Sequence, residues 1–99
     1  MDQPRIHHMV VFSLRHEAGS EPAETFMRDA ERQLTKIPTV KEFRAFRLRP
    51  NNPLDYGISM VFDNDDAYQE YAAHPLHEDF ELHRWQQEAT HALVIDYES

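Results

Sequence analysis

The 99-residue chain contains no cysteine, which removes disulfides, thiolate nucleophiles, Cys-type zinc sites and iron–sulfur clusters. Glycine is nearly as scarce. Only Gly19 and Gly57 occur, too few for a phosphate-cradling P-loop or a Gly-x-Gly-x-x-Gly dinucleotide turn. Positive charge is also short: 10 Lys and Arg stand against 18 Asp and Glu, a formal charge of −8. Such a chain repels a phosphate backbone, so nucleic acid is not expected as a partner. No apolar run approaches the roughly 18–20 residues that span a bilayer. Met1 to His8 also lacks the continuous apolar stretch of a secretory signal. These absences predict a cytoplasmic protein with no membrane partner. The length suits one core, hence one domain over residues 1–99.

What is present comes in separated apolar blocks. Ile6 to Leu14 is dense in Val, Ile, Phe and Met and predicts a first strand. A turn-like break follows, with Ser20 placed as an N-cap, Pro22 in the first helical turn, and Glu21 and Glu24 at the positive end of the helix dipole. Phe26, Met27, Ala30, Leu34 and Ile37 then recur at helical spacing, and Pro38 is expected to end that helix. Val40 to Arg49 alternates partly and is charged, as an edge strand is. The turn-rich Pro50-Asn51-Asn52-Pro53-Leu54-Asp55 leads into alternating Tyr56 to Phe62, completing a hairpin. Asp63, Asn64, Asp65 and Asp66 supply caps for a second helix, which Pro75 halts near His74. A further helical stretch runs from Pro75 towards Trp85, and His91 to Tyr97 is strand-like.

The order β-α-β-β-α-β is that of an α+β, ferredoxin-like sandwich with a four-stranded antiparallel sheet. Helices cover one face of such a sheet, and the other is ordinarily polar. Here both parities are apolar: Val10 and Phe12 alternate with Met9 and Val11, and Ala92 and Val94 with Leu93 and Ile95. A bare apolar face marks an association surface, and a second copy about a twofold axis covers it economically, so a homodimer is expected.

Seven histidines are the compositional oddity. His7 and His8 are adjacent in a strand and point to opposite faces, so they cannot share a metal ion. His16, His83 and His91 stand in polar contexts and are expected to be solvated. Tyr71-Ala72-Ala73-His74-Pro75-Leu76-His77 gathers a phenol and two imidazoles around a helix break. His74 and His77 offer nearby nitrogens, but no His-Glu-x-x-His pattern or cysteine accompanies them, and a metal site would need His8 or Asp96 to complete it. No metal and no cofactor is expected. The chemistry within reach is enolisation: a neutral imidazole, with a reference pKa of about 6.5, removes a proton beside a carbonyl while a phenolic hydroxyl holds the oxyanion. The plainer assignment has His74 capping and His77 packing, with Phe80 and Trp85 in the core. Asp63, Asp65 and Asp66 read as caps, because their pattern lacks the glycine and terminal glutamate of a calcium loop.

Ile6-His7-His8-Met9-Val10-Val11-Phe12, Ile37-Pro38, Asp55-Tyr56-Gly57, the Tyr71 to His77 run and Asp96-Tyr97-Glu98 together resemble the stress-responsive dimeric α/β-barrel (Dabb) domain over nearly the whole chain. That resemblance implies homodimers in which two ferredoxin-like sheets close into a barrel. One plant member is a polyketide cyclase that closes a poly-ketone by an aldol step. By that likeness His77 is the base and Tyr71 stabilises the enolate. His8 matches a histidine near the family's cavity, and Tyr56 stands where the cyclase has another histidine. His8, Tyr56, His74 and Phe80 are thus the candidate substrate-contacting residues. Three readings stay open: a barrel binding a small apolar or aromatic carbonyl compound, with or without turnover; a non-catalytic, stress-associated oligomerising protein; and a cofactor-independent oxygenase of electron-rich aromatics.

Overall fold

Alternation in the apolar blocks, helical spacing between them and well-placed caps set the elements of the computed structural model, which describes residues 3–99. Met1 and Asp2, the first residues of the expected 1–99 domain, lie outside the described residues. The order is β1 (Ile6–Leu14), α1 (Glu21–Leu34), β2 (Lys41–Arg47), β3 (Tyr56–Phe62), α2 (Asp65–Ala73) and α3 (Pro75–Phe80). The helical course then runs through a π-helical stretch, Glu81–Trp85, and a last turn, Gln86–Glu88, before β4 (Ala89–Glu98). The strands pair antiparallel in the order β2-β3-β1-β4, the ferredoxin-like sheet expected from the sequence.

Ser20 begins α1 as its composition demands: it is extended, and its Oγ accepts from the Ala23 N–H at 3.4 Å. Ala23, Phe26, Met27, Ala30 and Leu34 form its buried stripe. The helix stops at Leu34, not at Pro38. Three-residue turns take over, with Lys36, Ile37 and Val40 donating to Gln33, Leu34 and Ile37, so Ile37 stays buried although it has left the helix. Asn64, rather than an aspartate, caps α2, accepting from the Ala67 N–H at 2.9 Å. Asp63 pairs instead with Lys41.

The core lies between the helices and one parity of the strands. Phe12, Phe26, Tyr56 and Phe62 are almost wholly enclosed, each burial contributing about 1.5–3 kcal/mol. Phe12 meets both Phe26 and Trp85 edge to face. On the opposite parity Met9 stands across from Ile95 and Val11 from Leu93. Among the described residues no helix covers that side, and Leu93 and Tyr97 are 56% and 51% exposed. Charged β2 is an edge strand, as its composition suggested. It carries a bulge between Lys41 and Arg44 at which Glu42 adopts φ 49°.

Candidate functional site

Pro75 forbids helical geometry to the residue before it, and His74 accordingly turns extended, with φ −69° and ψ 137°. Its Nδ1 accepts from the Leu76 N–H at 3.0 Å, so the ring is spent as the N-cap of α3. This break folds α3 back against the last turn of α2. Tyr71 and His77 come together, their ring centroids 4.6 Å apart. His77 Nδ1 lies 3.1 Å from the Ala72 carbonyl, which can only accept. The proton therefore sits on Nδ1, leaving a lone pair on Nε2.

Both rings border a cavity of about 240 Å³ between the helices and the sheet. Val10, Ile58 and Met60 form its floor, and Leu34, Phe80 and Trp85 its apolar wall. Among the described residues His8, Tyr71, His77 and Glu81 are the polar side chains that border it. Val94 marks the side where the helices leave β4 uncovered. An apolar cavity of about 150 Å³ holds a benzene; this one has room for a substituted aromatic ring.

His8 is held from β4 and α2 at once. Its Nδ1 lies 2.6 Å from Asp96 Oδ1 and 3.0 Å from the Tyr68 hydroxyl, which donates to Asp96 Oδ2 at 2.9 Å. In the neutral ring the carboxylate fixes the proton on Nδ1, so the Nε2 of His8, like that of His77, is the nitrogen left to accept. Burial, helped by the hydrogen bond to Asp96, pushes the Tyr68 phenol up to about 12. Tyr71 is raised further. Its burial is the main cause, followed by Tyr68 and the nearby Glu81, so its hydroxyl stays protonated and can donate. Among the described residues that hydroxyl has no hydrogen-bond partner; it is a donor free for a ligand.

Of the residues singled out from sequence, the fold brings Tyr71, His77, His8 and Phe80 to one cavity. His74 caps α3. Tyr56 lies elsewhere, because its position on β3 sends it under the β1–α1 loop, where its hydroxyl accepts from the Gly19 N–H at 2.8 Å and its ring packs on Phe12. His16 is not solvated as expected: its Nε2 meets Glu88 Oε1 at 2.7 Å, and Glu88 also holds Arg84. Among the described residues no three His, Asp or Glu side chains converge as a metal site. The sequence reading missed Tyr68, Glu81 and the pairing of His8 with Asp96. The last follows only from the β1–β4 register, in which those two residues stand directly opposite.

The family model of the stress responsive A/B barrel domain, Dabb, matches residues 6–99. The chain belongs to the Dabb family. A solved Dabb protein with a ferredoxin-like fold from Mesorhizobium loti is 38% identical, with 96% of each chain covered and a TM-score of 0.91. A dimeric protein of unknown function from Bacteroides fragilis shares the fold at 22% identity, TM-score 0.75 and full coverage of both chains. So does a hydroxynitrile lyase from Passiflora edulis, at 13% identity and TM-score 0.82, covering 96% of this chain and 93% of that one. No curated protein matches the sequence. Several structural neighbours with the ferredoxin-like fold are described as dimeric. Among the described residues no helix is long and apolar enough to cross a membrane.

Proposed function

We propose that this Dabb protein is a homodimer whose cavity binds a small, mostly apolar or aromatic carbonyl compound and can carry out cofactor-independent acid–base chemistry on it. One observation carries this reading: Tyr71, a free phenolic donor, and His77, whose Nδ1 is engaged by a backbone carbonyl, border the same mostly apolar cavity. In the proposed step His77 Nε2 takes the proton from carbon next to the bound carbonyl, and the C–H electron pair moves into the enolate. Tyr71 donates a hydrogen bond to the oxygen that gains charge. For an aldol closure the enolate carbon then bonds to a second carbonyl carbon within the same ligand. The alkoxide so formed takes back the proton from the imidazolium, and no oxidant or reductant is consumed. A fold shared with a hydroxynitrile lyase is one that serves as an enzyme scaffold.

The bare sheet face supports the dimer. Met9, Val11, Leu93, Ile95 and Tyr97 lie on one side of β1 and β4, a contiguous apolar surface that a twofold mate would shelter.

Melting temperatures of the wild type and His77→Ala, screened against small aromatic ketones, aldehydes and 1,3-diketones, test the site. Ligands that stabilise the wild type more than the variant support it; equal shifts for every compound defeat it. For turnover of a poly-ketone, Tyr71→Phe and His77→Ala should each slow closure by about 10²–10⁴-fold. Unchanged product formation in both would remove the assigned roles.

A further inference from the structure

Among the described residues Glu81 is the one carboxylate on the cavity wall, and it sits there half-buried without a cation beside it. No described Lys or Arg borders the cavity. Arg84, three residues on, is turned away and held by Asp29 at 2.5 Å and Glu88 at 2.6 Å. The placement has a local cause. Glu81 opens the π-helical stretch that ends at Trp85, and the widened turn presents both ends of that stretch to the cavity. A carboxylate beside mostly apolar walls repels a second negative charge and accepts strongly from an O–H or N–H brought to it. The walls are otherwise apolar or are the imidazoles and phenol already described, and among the described residues none donates to the Glu81 carboxylate, which leaves it open to a donor that a ligand brings.

We propose that Glu81 makes this cavity selective for neutral carbonyl compounds that carry a hydroxyl or amino group, and that it rejects carboxylates. The proposal rests on the assignment of the cavity as the binding site. A bound molecule then has two ends: its carbonyl takes the Tyr71 hydrogen bond, and its O–H or N–H donates to Glu81 in a charge-assisted bond. An acid of the same shape places two carboxylates in one enclosure and is repelled.

Calorimetric titration of the full chain at neutral pH with 4-hydroxyacetophenone, acetophenone and 4-acetylbenzoate tests this. The wild type should bind the phenol more tightly than acetophenone, and the benzoate at least about tenfold more weakly than the phenol. Glu81→Gln should bring the benzoate to within about threefold of the phenol, and Glu81→Lys should reverse the order. Circular dichroism confirms that each variant is folded. Equal affinity of the wild type for phenol and benzoate, or the same ratio in Glu81→Gln, overturns the selectivity and leaves the cavity assignment standing. Failure of all three, and of the wider ketone and aldehyde set, to bind the wild type overturns the cavity assignment and this proposal together.

Discussion

Two imidazoles on the cavity are fixed in the same tautomer by unlike partners, a backbone carbonyl for His77 and a carboxylate for His8. The His8 arrangement is visible through Tyr68. Its phenol is raised to about 12, first by burial and then by donation to Asp96. A raised pKa means that the neutral phenol favours the folded state. That contribution is complete below about pH 10 and is lost as pH rises through about 12. Asp96→Asn should move this ionisation back towards ordinary tyrosine, read by ultraviolet titration against Tyr68→Phe; an unmoved transition would mean that Asp96 does not hold the pair. Glu88 makes the opposite case. Burial alone would raise its carboxyl, but hydrogen bonds from Arg84 and His16 outweigh that, and the net shift is downward. Its stabilisation is therefore present above the ordinary glutamate range, about 4.3, and lost as pH falls through the lower folded value. Glu88→Gln should cost about 1–3 kcal/mol at neutral pH and little in acid, measured by urea unfolding across pH. Tyr71 and His77 were legible in the sequence because a proline four residues after one and two before the other forces a break between them. The His8–Asp96 pair was not, since 88 residues separate partners that only strand register joins. Tyr56 misled because the cyclase likeness fixed its position in the chain and not the loop that would cover it.

Elements whose signals are local came through with their boundaries nearly intact. β1 and β3 match the apolar blocks end to end, and α1 begins where Ser20 and Pro22 place it. Removing the cap with Ser20→Ala should cost about 1 kcal/mol of stability without altering the cavity, a melt that ligand binding can be checked against. Signals that depend on neighbours failed. The periodicity of Leu34 and Ile37 runs past the true end of α1, because a buried turn residue satisfies the same apolar pattern as a helical one. The π-helical stretch has no periodic signature, and it is this stretch that brings Glu81 and Trp85 to the cavity. β2 and β3 are drawn together at Gly57, where an added Cβ would stand 2.2 Å from the Phe46 ring. Gly57→Ala should therefore displace Phe46 and cost about 1–3 kcal/mol, and the cost should shrink in a Phe46→Ala background. Equal costs in the two backgrounds would show that the ring is not what demands glycine there.

At the scale of the whole molecule the sheet has two unlike faces, one packed on helices and one apolar and bare. The sequence carried this division openly, as opposite parities that are both greasy. If a second copy shelters the bare face, Leu93→Asp and Ile95→Asp should convert a dimer into a folded monomer in sedimentation velocity at micromolar concentration. A wild type that sediments as a monomer would remove the dimer from the account. The cavity lies on the other face, so its chemistry is read most directly at its own imidazoles. In nitrogen-15 histidine spectra of the wild type, His77 and His8 should both appear as Nδ1–H tautomers. A neutral aromatic ketone should shift their Nε2 signals and leave exposed His83 and His91 unmoved. An Nε2–H tautomer at His77, or ketone titration that moves none of these signals, would contradict the assignment of this cavity as the functional site.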